Sequence, residues 1–129
     1  GVAHGALAVH VDDYIDRFGL TIDDRVLQLS TLGFDAAVEQ ILPALTVGAR
    51  VVMRGADLWS PEQVTQRLRA DGVTLAYLPT GYWRAWQTAV TGPLPALRQV
   101  STGGEALPGC PWGAARLPRA LAGPRVRAA

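Results

Sequence analysis

Residues 50–78 read RVVMRGADLWSPEQVTQRLRADGVTLAYL, and this stretch decides the fold. Arg50-Val51-Val52-Met53-Arg54 is a β-branched run of strand length flanked by arginines. Ser60 then supplies an N-cap, Pro61 suits the first helical position, and Gln63 completes an S-x-x-Q capping box. Trp59 and Val64 stand at the two positions of a hydrophobic staple. Asp71-Gly72 ends the helix, and Val73 to Leu78 is a second buried-strand run. Strand, helix and strand joined this closely make a βαβ unit, whose crossover is right-handed and whose strands are parallel.

The same alternation extends both ways. Leu7, Val11, Tyr14, Ile15 and Phe18 fall on one face of a first helix, with Gly19 placed to end it. After Asp23-Asp24, Val26 to Ser30 reads as a strand. Asp35 opens a second helix that places Val38, Ile41, Leu42 and Leu45 at helical spacing, with Pro43 expected to kink it or thin its last turn. Gly48 closes it. Downstream, Pro79-Thr80 starts a helix carrying Tyr82, Trp83, Trp86 and Val90, and Thr91-Gly92-Pro93 breaks it. Leu97 to Ser101 is a fourth strand running into Thr102-Gly103-Gly104-Glu105. From Pro108 the pattern gives way to Pro, Gly, Ala and Arg, with a short helix expected around Gly113 to Leu121. The fold class is α/β: a mostly parallel sheet flanked by helices, flavodoxin-like.

Composition bounds the chemistry. The 129 residues are 49% hydrophobic and 18% charged, which suits one domain with a real core. A net charge of +1 excludes a nucleic-acid surface driven by bulk charge. The charge is uneven: residues 98–129 carry five arginines against Glu105, and residues 1–97 carry seven against ten acids. All twelve basic residues are arginine, so no lysine is present for a Schiff base or a phosphate grip. Cys110 is the single cysteine, which excludes an intrachain disulfide and a cysteine-built metal centre; His4 and His10 are too few and too isolated for a metal site. No apolar run reaches the length of a membrane span and no secretory leader is evident, so a cytoplasmic protein without membrane contact is expected. The start at Gly1 suggests a piece of something longer.

Ligands of an open parallel sheet bind beyond the carboxyl ends of its strands. Ser30 to Asp35, Arg54 to Asp57, Tyr77 to Thr80 and Ser101 to Glu105 therefore share one rim. Gly103-Gly104 after a strand permits close backbone approach to a planar or anionic ligand, and equally serves as an ordinary turn. Asp35 suits an N-cap. Glu39, one turn on, is either solvated or a partner for Arg50 or Arg54. The tryptophans suit packing better than ligand stacking. G-x-G-x-x-G, a P-loop and any Ser/His/Asp or Cys/His arrangement are all absent, and no residue is assigned a catalytic role.

Several segments, in order, resemble the adenylation domains of nonribosomal peptide synthetases, which belong to the acyl-adenylate-forming superfamily. Leu27-Gln28-Leu29-Ser30-Thr31-Leu32-Gly33-Phe34-Asp35-Ala36-Ala37 is similar to their fourth core motif, where Phe-Asp-Ala-Ser is typical. Val38 to Leu45 and Gly48-Ala49-Arg50-Val51-Val52 continue the similarity. Asp57-Leu58-Trp59-Ser60-Pro61-Glu62, Val73 to Thr80 and Gly103-Gly104-Glu105-Ala106-Leu107-Pro108 resemble the segments that follow. Gly1-Val2-Ala3-His4 is similar to the tail of the third core motif, shortened before His4.

Such domains activate an acid with ATP and Mg2+, form an acyl-adenylate, and pass the acyl group to the phosphopantetheine thiol of a carrier protein. The resemblance implies that Asp35 pairs with a substrate α-ammonium and that Phe34 lies beside the substrate carboxylate. It implies that Ala36, Glu39, Tyr77, Val100 and Thr102 line the side-chain pocket, and that Gly103, Gly104 and Glu105 pack against adenine. A basic amino acid such as ornithine or lysine would neutralise Glu39 beside Asp35. Residues 1–108 carry the resemblance, and 109–129 depart from the family's helix as a degenerate or truncated continuation. The phosphate loop, the Tyr-Gly-Pro-Thr-Glu segment, the ribose-binding aspartate and the catalytic lysine of the family do not occur in these residues. The chain is therefore expected to be a middle slice of an amino-acid-activating enzyme, inactive alone, binding no cofactor tightly, with the rest of the domain and a carrier protein as partners. Two other functions fit less well: a noncatalytic interaction or regulatory module of response-regulator type, which would want a lysine, and an acyl-CoA or aryl-acid ligase, whose substrate Asp35 would repel.

Overall fold

The computed structural model describes residues 1–104 and, as backbone, 125–128. Four helices, α1 (His4–Phe18), α2 (Asp35–Thr46), α3 (Pro61–Ala70) and α4 (Thr80–Ala89), alternate with strands β1 (Arg25–Gln28), β2 (Arg50–Met53), β3 (Leu75–Pro79) and β4 (Gln99–Gly103). A further strand, β5 (Arg125–Ala128), joins the edge. Every pairing is parallel, in the order β2-β1-β3-β4-β5, so all carboxyl ends meet at one rim. β3 and β4 begin two residues later than their apolar runs suggest. The helix expected at Gly113 to Leu121 lies outside the described residues.

Side-chain alternation along the strands separates two cores. Leu27, Ala76, Leu78 and Val100 pack with Val64, Leu68, Trp83 and Trp86 of α3 and α4. Val26 and Leu75, the alternate positions, pack with Tyr14, Phe18 and Ala44 of α1 and α2. The face of α1 is as its sequence indicates, and Gly19 ends it at φ 57°, a left-handed conformation that favours glycine. α3 carries the complete capping box, Ser60 Oγ accepting from Gln63 N–H and Gln63 Oε1 from Ser60 N–H. Trp59 and Val64 belong to one cluster, as a staple requires.

α2 departs from its apolar spacing. Its buried residues are Ala37, Gln40, Pro43 and Ala44, whereas Val38 and Leu45 are exposed. Gln40 explains the orientation. It is 1% exposed; its Oε1 accepts from the N–H groups of Leu29 and Ser30 at 3.0 and 3.1 Å, and its Nε2 donates to Ser30 Oγ at 2.8 Å. Those amides lie just past the end of β1, where the ladder no longer supplies acceptors, and alanines on either side let the helix come close. Pro43 is accommodated inside α2, which runs on to Thr46.

Candidate functional site

A cavity of about 320 Å³ opens at the carboxyl rim. Leu29, Ser30 and Thr31 follow β1, Phe34, Asp35 and Ala36 enter α2, Tyr77 and Pro79 end β3, and Gly103 and Gly104 end β4. Leu58 and Tyr82 close the remaining side. Of the four rim segments expected from sequence, three line the cavity directly; from the loop after β2 it is Leu58, one residue beyond the expected Arg54 to Asp57, that does so.

Asp35 is not the N-cap. Phe34 holds that position with extended φ −104° and ψ 149°, and Asp35 is the first helical residue, its Oδ1 accepting from Ala36 N–H at 2.8 Å. An acid in the first turn is favoured there by the helix dipole. Among the described residues its carboxylate is the one charged group lining the cavity, and no cation pairs with it. Phe34 beside it is 67% exposed, an apolar ring left open at the mouth. Opposite, Gly104 adopts φ 92°, and a Cβ there would stand 3.8 Å from Tyr77 Oη, so the backbone angle and not space favours glycine. The Tyr82 hydroxyl donates to Trp59 C=O at 2.8 Å, and burial, then Glu62, pushes its phenol up to about 12.

A second, smaller cavity of about 90 Å³ lies between α1, α2 and the sheet. His10, Tyr14, Glu39, Tyr77 and Ser101 are among its walls. His10 Nε2 donates to Glu39 Oε1 at 3.0 Å. Glu39 thus pairs with neither Arg50 nor Arg54, a correction to the partners expected from sequence: β2, which carries Arg50, pairs along β1 at the far edge, while α1 runs beside α2. Tyr77 lines both cavities. Burial raises its phenol, and the carboxylates of Glu39 and then Asp35 raise it further. Tyr14 is raised by burial first and then by Glu39 and Tyr77, with the nearby Ser101 hydroxyl opposing the shift.

The implied pocket residues are therefore divided. Phe34, Asp35, Ala36, Tyr77, Gly103 and Gly104 surround the larger cavity and Glu39 the smaller, while Glu105 lies outside the described residues. Val100 and Thr102 are 0% and 1% exposed. Val100 faces the α3–α4 core, and Thr102, two residues on, shares its side of the sheet. The β4 residues lining the cavities are Ser101 and Gly103. Ser101 pairs in register with Tyr77, which fixes both on the α1–α2 face. Sequence reasoning put Ser101 on the rim without assigning it to the pocket, and it missed His10, Tyr14, Leu58 and Tyr82 as lining residues, for which only the i, i+4 spacing of His10 and Tyr14 on α1 was available as a signal.

An all-parallel sheet with a glycine turn, a carboxylate and an exposed aromatic on its carboxyl rim is an open α/β subdomain with its cavity where such sheets take their ligands. The chain belongs to the AMP-binding enzyme family, whose sequence profile matches residues 2–117, and it matches a segment of the adenylation domains of nonribosomal peptide synthetases. It is similar to the probable non-canonical nonribosomal peptide synthetase CymA of Salinispora arenicola, 32% identical over 108 residues that make up 84% of this chain and 1% of CymA. The crystal structure of the nonribosomal peptide synthetase FmoA3 superposes with a TM-score of 0.76 at 30% identity, over 83% of this chain and 12% of that one. Its AMPPNP-bound form superposes equally well. The structure of PA1221, a nonribosomal peptide synthetase protein containing adenylation and PCP domains, gives 0.56 at 28% identity over 67% of this chain and 15% of that one. No helix among the described residues is long and apolar enough to cross a membrane.

Proposed function

We propose that these residues form the amino-acid side of an adenylation site that activates an α-amino acid with ATP in the cytoplasm and delivers it to a carrier-protein thiol. The observation that carries this is the Asp35 carboxylate, without a cationic partner and without a charged neighbour in its cavity among the described residues, facing the Gly103-Gly104 turn. A lone anion with one backbone hydrogen bond suits the α-ammonium of a substrate. The exposed Phe34 ring covers the adjoining carbon skeleton, and the flat glycine turn accepts the face of adenine. In the reaction a substrate carboxylate oxygen bonds the α-phosphorus of ATP and pyrophosphate leaves; attack of the carrier thiol on the acyl carbon then releases AMP. Among the described residues no cluster of His, Cys, Asp or Glu is built for Mg2+, and no arginine lines the cavity, so no role in phosphate or metal handling is assigned to them. What this chain contributes is binding and orientation.

The test is titration of amino acids and of their N-acetyl derivatives into the chain, followed by amide NMR shifts. Free amino acids are expected to perturb Phe34, Asp35, Tyr77 and Gly104, and Asp35→Asn to weaken binding about tenfold, the scale of one charge-assisted hydrogen bond. Equal binding of the N-acetyl derivatives would remove the ammonium from the account and favour a simple carboxylic acid as substrate.

A further inference from the structure

β2 is the outermost strand of the sheet, and it pairs along one side alone among the described residues. Arg50 N–H donates to Asp24 C=O at 3.0 Å and Arg54 N–H to Gln28 C=O at 3.1 Å, so the even-numbered residues here turn their backbone groups toward β1. Along a parallel strand the N–H and C=O of one residue point to one side and those of the next residue to the other. The N–H and C=O groups of Val51 and Met53 therefore face outward, with no strand beside them among the described residues. Such an edge is a template for another strand. Val51 is partly buried against the α1–α2 core, and Met53, on the same face, is 55% exposed.

The other face of this edge is cationic. Val52 packs against the α3–α4 core, so Arg50, two residues before it, projects on the α3 side, and so does Arg25, its partner in register. With Arg67 of α3 they line a groove of about 370 Å³ whose single acid is Asp71. Asp71 is already engaged: its C=O accepts from Arg25 Nη1 at 2.7 Å, and its carboxylate lies 3.4 Å from Arg67 Nε. No carboxylate among the described residues pairs with Arg50. Arg54, just past β2, has its Nε enclosed without an acceptor among the described residues. Like charges directly opposite one another on adjacent strands oppose pairing, and three guanidinium groups against one carboxylate leave positive charge over. A second copy of β2 on this edge would add arginines to arginines. An acidic strand would neutralise them.

We propose that the free edge of β2 takes an added strand from a partner polypeptide in which acidic and apolar residues alternate. Backbone pairing falls to Val51 and Met53, the acidic face lies over Arg50 and the groove, and the apolar face covers Met53. Side chains on one face of a strand recur about every 6.6 Å, so Arg50 and Arg54, four residues apart, match the first and third acids of such a run. None of these residues lines the larger cavity, and the inference stands apart from the function proposed above.

The probe is an end-blocked peptide, Glu-Val-Glu-Thr-Glu-Val-Glu, titrated into the chain with amide hydrogen exchange read by NMR. The same peptide with every Glu replaced by Gln, or by Lys, is the control. In the free chain the Val51 and Met53 amides are expected to exchange faster than that of Val52, which the ladder holds. The acidic peptide should slow both by about tenfold or more at saturation and bind about tenfold more tightly than the Gln peptide, while the Lys peptide should not bind. Arg50→Glu, at an exposed side chain, should remove the preference for Glu over Gln. Met53→Pro, which deletes an outward N–H and leaves the ladder to β1 intact, should abolish the protection at Val51; if that variant does not fold, Arg50→Glu decides alone. Equal binding of the Glu and Gln peptides to the unaltered chain overturns the inference. So does binding of the acidic peptide with exchange at Val51 and Met53 unchanged, which is charge attraction without a strand. Protection of both amides in the free chain overturns it as well, and its loss on dilution would make a second copy the occupant. Absence of binding at millimolar peptide ends the proposal.

Discussion

Asp24 is buried just before β1 and accepts five hydrogen bonds from Thr21, Thr74 and Arg98, the longest from Thr21 Oγ1 at 3.4 Å. Its Oδ2 accepts from Thr21 N–H at 2.9 Å and Arg98 at 2.8 Å, and its Oδ1 from Thr74 Oγ1 at 2.7 Å and Arg98 Nε at 2.9 Å. Arg98 also donates to the C=O groups of Phe18 and Gly19, so one guanidinium ties the end of α1 to the starts of β1 and β4. Burial alone would raise the Asp24 carboxyl, but the Arg98 and Thr74 hydrogen bonds and the Thr21 amide outweigh it and hold the group at about 2. A carboxyl lowered on folding contributes stability that is complete above its unfolded value near 4 and fades as pH falls from there toward 2. Asp24→Asn is expected to cost roughly 2 kcal/mol at neutral pH, less than a fully buried pair because Arg98 is partly in water. Urea unfolding across pH should show the gap between the two proteins closing below about pH 3; a gap constant from pH 7 to 3 would rule out the charge as its source. None of this was legible beforehand, since Asp24 and Arg98 are 74 positions apart and their meeting depends on strand order. The same is true of Val100 and Thr102. Without register, parity along β4 is undetermined, and a shift of one residue exchanges the two faces of the sheet.

At the level of elements, α3 and α2 show what local sequence does and does not settle. α3 is read from its own first four residues because its start is satisfied locally, Ser60 and Gln63 serving each other's backbone. Ser60→Ala should cost about 1 kcal/mol, measured by denaturant unfolding. α2 misleads because its apolar stripe and its buried stripe differ. Val38 and Leu45 look like core by spacing, yet the amides beyond β1 need acceptors, and only Gln40 brings one. An unsatisfied buried amide outweighs the gain from burying one more aliphatic side chain in a helix already packed through alanines. Gln40→Leu leaves both the Leu29 and Ser30 N–H groups without that acceptor and is expected to destabilise the chain by roughly 2–4 kcal/mol, although leucine is the better core residue by transfer energy. Hydrogen exchange should locate the loss, with the Leu29 and Ser30 amides losing protection first. A neutral or stabilising Gln40→Leu would mean that hydrophobic burial, and not these amides, sets the orientation of α2.

For the whole molecule, strand order does what no single segment could. Placing β1 and β3 side by side in the middle brings the Phe34-Asp35 entry to α2 next to Tyr77, and β4 then adds Gly103 and Gly104 from the other side. The alternation of strands and helices made the parallel sheet and its shared rim legible, while depth and facing along that rim waited on register. The larger cavity is one-sided in charge: among the described residues Asp35 is the one charged residue that lines it, and the acids of residues 1–97 outnumber the arginines there. Expelling pyrophosphate from ATP places growing negative charge on the leaving oxygens, and enzymes meet it with preorganised cations or donors. Among the described residues no cation lines the larger cavity, and there is no lysine anywhere in these 129 residues. The chain by itself is accordingly expected to bind an amino acid without activating it. ATP–pyrophosphate exchange should stay at the no-protein level with ornithine or any common amino acid, under conditions where NMR shows the amino acid bound. Exchange clearly above that level would mean that phosphate-stabilising groups are present within these residues, and the division of labour argued for this rim would have to be abandoned.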